Sequence, residues 1–148
     1  MRLSSMADYA VVLMSAAARH CGTASLVDAD SKKRARTSAT ALAEETGVPL
    51  ATAQKLVSML SKAGLVRSAR GTGGGIQLAR PAAAITLTDI IEAVEGPIAM
   101  TACAPYGRHD CGLEECCSVR PHWGAVNNAV RGALDGVSLA SLSEGVAA

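Results

Sequence analysis

The chain has 148 residues, which suits one domain or one domain with a dimerisation arm. Apolar residues make up 49% of it, but they are mostly Ala, Leu and Val with no Phe, which favours helices. Its net charge of +1 hides 11 Lys or Arg against 5 Asp or Glu in residues 1–81, and 3 against 8 in residues 82–148. A nucleic-acid-binding half with a separate sensing half would show this segregation, and so would chance. The apolar run 10–18 is too short to span a membrane, which excludes it as a transmembrane helix.

The first predicted helix covers residues 4–20. Ser4 or Ser5 can cap it, Ser5 and Asp8 have the spacing of a capping box, and apolar residues follow at helical spacing. Arg2 before an apolar run loosely resembles a signal peptide, but Asp8 precedes the run and Arg19 closes it. We therefore expect a cytoplasmic protein.

Residues 38–63 predict a helix-turn-helix. A helix from Ser38 to Thr46 stops at a Gly-Val-Pro turn, and a second helix begins at Leu50. Small residues stand where the helices would touch, and glycine stands where the chain reverses: Ala43, Ala53 and Gly47. The predicted buried stripe of the second helix is Leu50, Ala53, Leu56, Val57 and Leu60.

A β-hairpin is predicted directly after this motif, over residues 65–79. Two short strands flank a glycine-rich loop, which is the arrangement of a wing. Thr86 and Asp89 then begin a capped helix over 86–96. The fold class expected is mainly α with a small β-hairpin wing, a winged helix-turn-helix over residues 1–97 followed by a long C-terminal dimerisation helix.

The outward face of the second helix carries residue types that read DNA. Thr52 and Gln54 can bond base edges, and Lys55 suits phosphate. An ordinary amphipathic helix would also show such a face, but the wing with its arginines favours DNA. The predicted DNA-binding residues are Ala51, Thr52, Gln54, Lys55, Ser58, Arg67, Arg70 and Gly73. A basic run at 32–36 reads as a solvated loop.

Four of the five cysteines lie in a predicted loop over residues 98–119. The spacing Cys103-x7-Cys111-x4-Cys116-Cys117 lacks the CxxC pairs of zinc sites and suits an iron–sulfur cluster, with zinc or redox thiols as alternatives. Residues 120–148 form the predicted dimerisation helix and tail, with the apolar stripe Trp123, Val126, Val130 and Leu134.

Taken together, these segments resemble a known family. The opening MRLSSMADYAV, the block GVPLATAQKLVSMLSKAGLVRSARGTGGG, the segment ITLTDIIEAVEGPI and the CSVRPHW before the last helix carry the resemblance. The sequence is similar to the iron–sulfur-sensing winged helix-turn-helix regulators typified by IscR and NsrR, and within them to the branch that regulates SUF iron–sulfur assembly.

The resemblance implies a set of cluster ligands. Cys103, Cys111 and Cys117 would bind an iron–sulfur cluster of the 2Fe-2S or 4Fe-4S type, with Cys116 left over. Arg120 stands where IscR-like members have a histidine ligand. NsrR-like members use an Asp of the first helix from the other subunit, in an Asp-Tyr-Ala context, and Asp8 matches it; the resemblance thus implies Asp8 of the partner subunit as the fourth ligand, unless it is only a helix cap. His109 and His122 are the reserve ligands, and Cys21 is interpreted as a small buried hydrophobe.

The function that follows is control of iron–sulfur assembly genes by a homodimer bound to double-stranded operator DNA. The cluster would join the cysteine loop of one subunit to the first helix of its partner, and its loss would change operator affinity. A zinc-bound or thiol-redox regulator is the alternative. No nucleophile and base stand at a recognisable spacing, so an enzyme is not expected.

Overall fold

The computed structural model describes residues 2–21, 36–71 and 74–144. It confirms the fold class, since the described chain is mainly helical with one two-stranded antiparallel hairpin. Most of the basic run at 32–36 lies outside the described residues, and so does Gly73. The elements are α1 (Ser5–Cys21), α2 (Ala39–Thr46), α3 (Leu50–Lys62), β1 (Val66–Ala69), β2 (Gly75–Leu78), a 3-10 helix (Ala82–Ala84), α4 (Leu87–Glu95), α5 (Arg120–Asp135) and α6 (Leu139–Ser143).

Local capping signals set most helix starts. The Ser38 hydroxyl accepts a hydrogen bond from the Ala41 amide at 3.0 Å at the start of α2. Thr86 and Asp89 form the reciprocal capping box expected for α4. At α1 the capping hydroxyl belongs to Ser4, one of the two predicted caps, which accepts from the Ala7 amide at 3.1 Å; Ser5 is the first residue of the helix, so its capping-box spacing with Asp8 is not used.

One hydrophobic core joins α1, α2, α3, α4 and the hairpin. The inward face of α1 is largely alanine, and such small side chains let neighbouring helices approach closely. The hairpin contributes Val66, Ile76 and Leu78, whose side chains are buried in this core. Thr37 pairs with Ile76 by two backbone hydrogen bonds, so the segment before α2 is fixed to the wing.

The C-terminal residues return to this core, although their sequence pattern is too weak to predict an element. Leu139 on α6 is fully buried, and its amide donates to the Ile85 carbonyl at 2.8 Å. Ser15 on α1 donates to the Leu142 carbonyl at 3.1 Å. Residues 137–144 therefore belong to the core of the first half of the chain, and α5 bridges the cysteine loop to them.

Candidate DNA-binding surface and cysteine loop

The turn between α2 and α3 has the geometry that the sequence predicts. Gly47 is left-handed at φ 75°, and its amide donates to the Ala43 carbonyl at 2.9 Å. Ala43 and Ala53 are buried where the helices meet. Leu50 departs from the predicted buried stripe: it is the first residue of α3 and is 43% exposed.

The opposite face of α3 is open to solvent. Lys55 and Ser58 are exposed, and so are Ala51 and Gln54, whereas Thr52 is half-buried. Ala51, Lys55 and Ser58 follow one another at helical spacing, so they share one outward surface. We refer to this set with Gln54 and Thr52 as the α3 face.

The hairpin follows α3 in the sequence and carries two exposed basic side chains. Arg67 lies exposed on β1 opposite Gln77 of β2, and Arg70 lies exposed where the loop begins. A Cβ atom at Gly74 would lie 2.4 Å from the Ala69 carbonyl oxygen, so only glycine fits where the loop closes. The hairpin is thus a short wing with positive charge on its outer surface.

The four loop cysteines are present as thiols but are not gathered into one site. Cys103 is half-buried, with its sulfur 3.4 Å from the Thr101 hydroxyl, and Cys117 is also half-buried. Cys111 and Cys116 are exposed. Within the described residues no three His, Cys, Asp or Glu side chains are grouped closely enough to hold a metal ion.

A shallow open recess brings together a different set of groups from the predicted ligand set. It includes Cys111 and Cys116 but neither Cys103 nor Cys117. Its polar wall is Glu114, which accepts from His109 Nδ1 at 2.7 Å and forms an ion pair with Arg120 Nη2 at 3.1 Å. Arg120, the first residue of α5, thus pairs with the cysteine loop.

Asp8 lies exposed in the first turn of α1. Its carboxylate has no hydrogen bond or ion pair with any residue that the structure describes, and it does not cap the helix. Tyr9 and Val12 beside it are 37% and 40% exposed. Of the remaining candidates, His122 lies exposed on α5, and Cys21 is half-buried against the core.

Helix α5 packs on the rest of the chain with only part of its surface. Trp123, Val130 and Leu134 of the predicted stripe are half-buried, but Val126 is 42% exposed. Val126 belongs to an exposed flank of small apolar side chains at helical spacing, which we call the α5 flank: Ala125, Val126, Ala129 and Ala133.

Polar contacts fix α5 to α4. Arg131 donates from Nε and Nη2 to the two carboxylate oxygens of Glu92, at 3.1 and 3.2 Å. These bonds hold the pKa of the Glu92 carboxyl below its ordinary value, and the Ile98 amide adds to the effect. The same pairing raises the pKa of Arg131.

Asn127 is the residue of this region that the sequence reasoning missed. It lies on the inward face of α5, only 2% exposed, and accepts from the Met100 amide at 3.0 Å. The one signal for it in the sequence is a polar residue among the apolar positions of the helix.

None of the described helices is long and apolar enough to cross a membrane.

Comparisons with known proteins agree over almost the whole chain. The model of the Rrf2 family, described as iron-dependent transcriptional regulators, matches residues 3–145. A putative HTH-type transcriptional regulator from Azotobacter vinelandii is 33% identical over 144 residues, covering 96% of this chain and 79% of the relative. IscR from Photorhabdus laumondii is 32% identical over 142 residues, with the same two coverages, 96% and 79%.

Two solved structures share the fold over nearly the full length. CymR, the global cysteine regulator of B. subtilis, superposes with a TM-score of 0.69 at 28% identity, and each chain is covered to 97%. IscR of T. potens superposes with a TM-score of 0.68 at 26% identity, covering 97% of this chain and 87% of the other.

Proposed function

The chain belongs to the Rrf2 family of transcriptional regulators, which are DNA-binding proteins and not enzymes, and on that premise we propose that it is a homodimeric iron–sulfur sensor acting on operator DNA. Residues 1–97 would read DNA, residues 98–119 would sense the cluster, and residues 120–148 would pair the subunits. The observation that carries the proposal is an exposed polar face on α3 and a basic wing in the same chain as a loop of four thiols.

The DNA-reading part rests on the α3 face and the wing. Gln54 and Thr52 present groups suited to base edges, and Lys55 presents a charge suited to phosphate. Arg70 stands at the wing loop, where a guanidinium could enter a narrow A·T-rich minor groove. Arg67, Ala51, Ser58 and Gly73 complete the proposed interface.

The homodimer rests on the surfaces that the single chain leaves uncovered. The α5 flank is apolar, exposed and lined by small side chains, so a second α5 could approach it closely. On α1, Tyr9 and Val12 are exposed beside Asp8. A partner packed on this part of α1 would place its own cysteine loop within reach of Asp8.

The donor chemistry of the loop fits an iron–sulfur cluster, although one chain alone does not assemble the site. The thiolates of Cys103, Cys111 and Cys117 would hold the cluster, and Asp8 of the partner subunit, which has no other described contact, would complete it. When bound, such a cluster would be sensitive to oxygen and to the amount of iron available. Loop residues held in this way would restrain the loop relative to α1 of the other subunit, and their release would change the spacing of the two α3 faces.

The targets proposed are genes of iron–sulfur assembly of the SUF type, and the location is the cytoplasm, where operator DNA lies and thiols stay reduced. This step rests on the likeness to IscR proteins and on the thiol-rich loop.

A thiol-redox regulator without a cluster is the second candidate, because the structure brings Cys111 and Cys116 to the same recess. The solved structure of the oxidised form of Staphylococcus aureus CymR superposes on this chain with a TM-score of 0.66 at 29% identity. A zinc-bound regulator would share the thiol ligands, but its protein would be colourless.

One experiment separates these candidates. The parent and the single variants Cys103→Ala, Cys111→Ala, Cys117→Ala, Cys116→Ala and Asp8→Ala are purified without oxygen, and iron, sulfide and absorption are measured. The proposal expects iron and sulfide in the parent, loss in the first three variants and retention in Cys116→Ala, the matched neighbour of Cys117. Asp8→Ala should keep a cluster that decays faster, because one donor is missing. A colourless parent with a reversible disulfide would favour the thiol switch.

A further inference from the structure

The segment between α4 and Cys103 is held at two backbone amides by side chains from two different helices. Glu92 Oε1 on α4 accepts from the Ile98 amide at 3.2 Å, and Asn127 Oδ1 on α5 accepts from the Met100 amide at 3.0 Å. Both bonds lie at the entry to the loop, a few residues before the first thiol.

Asn127 stands out in its surroundings. From residue 98 to residue 135, which the structure describes without a gap, only Asn127 and Ala104 are buried. A buried amide side chain needs a hydrogen-bond partner, and once paired it favours one arrangement over its alternatives. An apolar residue at this position would pack against the same neighbours but would not fix the Met100 amide.

The position of Cys103 follows from that of Met100. The Ala104 amide donates to the Thr101 carbonyl at 3.1 Å, which closes a turn around Cys103, and Ala104 itself is fully buried. The Thr101 hydroxyl lies 3.4 Å from the Cys103 sulfur. Cys111 and Cys116, by contrast, lie exposed on later turns of the loop.

The same contacts reach the DNA-reading half. Glu92 also binds Arg131 of α5, and the Thr88 hydroxyl of α4 donates to the Arg131 carbonyl at 3.3 Å. Helix α4 packs on both α1 and α3. The entry to the cysteine loop is therefore linked, through α4, to the helix that carries the α3 face.

We propose that Asn127 is a positioning residue: its side chain, together with Glu92, fixes the segment that carries the Cys103 thiol relative to α5 and couples that thiol to α4. Only the coupling to DNA affinity rests on the proposed function. The placement of Cys103 is a property of the chain without any bound group.

The first test measures thiol reactivity in the metal-free, reduced protein at one pH. Native alkylation with iodoacetamide is followed at each cysteine by peptide mass spectrometry. In Asn127→Leu the Cys103 rate should rise roughly 2- to 10-fold, the weight of one lost hydrogen bond, while the Cys111 rate stays as in the parent. Asn127→Asp keeps the acceptor oxygen and should retain the parent rate.

Asn128→Leu, the exposed neighbour on the same helix, is the matched control and should leave both rates unchanged. Glu92→Gln, which keeps an amide oxygen as acceptor but loses the charge, gives a second variant should Asn127→Leu fail to fold by circular dichroism. It should raise the Cys103 rate above that of the parent and leave the Cys111 rate unchanged, and an unchanged Cys103 rate in this folded variant would likewise contradict the placement. An unchanged Cys103 rate in a folded Asn127→Leu, or an equal rise at Cys111, would overturn the placement.

The second test measures coupling. The ratio of operator affinities between the cluster-loaded and metal-free forms should fall towards 1 in Asn127→Leu and stay at the parent value in Asn128→Leu. A parent ratio preserved in Asn127→Leu would overturn the coupling. If the parent binds no iron, the proposed function fails, and the alkylation rates still decide the placement of Cys103.

Discussion

The helix-turn-helix half and the cysteine-bearing half of this chain are stabilised in different ways. Residues 2–97 supply all of the described buried apolar side chains except Ala104 and Leu139. Residues 98–135 are instead fixed by polar contacts, chiefly those of Asn127 and Glu92. The shape of the first half is thus set by its own core, whereas the described contacts of the second half are mostly hydrogen bonds and ion pairs.

The largest expected contrast is in stability. Leu56 on α3 is fully buried, and Leu56→Ala should cost about 2–5 kcal/mol of unfolding free energy, through lost burial and the cavity left behind. Leu113 in the cysteine loop is 66% exposed, and Leu113→Ala should change it by no more than about 0.5 kcal/mol. Urea titration of both variants measures the difference, and equal losses would contradict the division.

A second contrast concerns association. Val126→Asp puts a charge on the α5 flank and should raise the dimer dissociation constant at least about tenfold, since an unpaired charge is costly to bury. Asn128→Asp adds the same charge on the opposite flank of α5 and is the control. Sedimentation equilibrium compares them, and equal constants would place the interface away from this flank.

Loss of a positive charge should affect DNA binding when the charge lies on the α3 face and not when it lies in the cysteine loop. Lys55→Ala should weaken binding to all sequences and reduce the salt slope by about one unit, because one phosphate contact is lost. Arg108→Ala removes a charge from the cysteine loop, where the side chain is 89% exposed, and should leave that slope unchanged. Fluorescence anisotropy at several salt concentrations makes the comparison, and matching slopes would count against the α3 face.

The smallest expected effect is on the pH dependence of stability. Because Arg131 lowers the pKa of Glu92 in the folded chain, the pair stabilises the fold above the ordinary carboxyl pKa of about 4.5, and this contribution is lost as pH falls through the lowered value. Glu92→Gln should therefore flatten acid destabilisation slightly, with its deficit largest near neutral pH. Thermal melts from pH 3 to pH 7 test this, and parallel curves would show that the pair contributes nothing.

The sequence predicted the local structure of the helix-turn-helix half well because its signals are local. Gly47 marks the turn of the helix-turn-helix, and Thr86 with Asp89 marks a helix start, whatever the rest of the chain does. The burial of Leu139 could not be predicted in this way, because it depends on contacts with Ile85, which is distant in sequence.

The cysteine half was harder to predict because its contacts also join residues that are distant in sequence. Asn127 interrupts an apolar pattern, and only the position of the Met100 amide shows why it is buried. The resemblance to the family left Cys116 out of the ligand set, whereas the fold places Cys116 in the same recess as Cys111. Which thiols meet depends on turns of the loop, and on a second subunit, that a sequence pattern does not encode.

The central claim is that the state of the cysteine loop sets the DNA affinity of the α3 face. The most direct test titrates one operator fragment with anaerobically purified protein, before and after its iron is removed by a chelator, at fixed salt and protein concentration. The account predicts dissociation constants that differ by about 5-fold or more, the scale of an ordinary coupling between sites, and a difference that disappears in Cys103→Ala. The same dissociation constant before and after iron removal would contradict it.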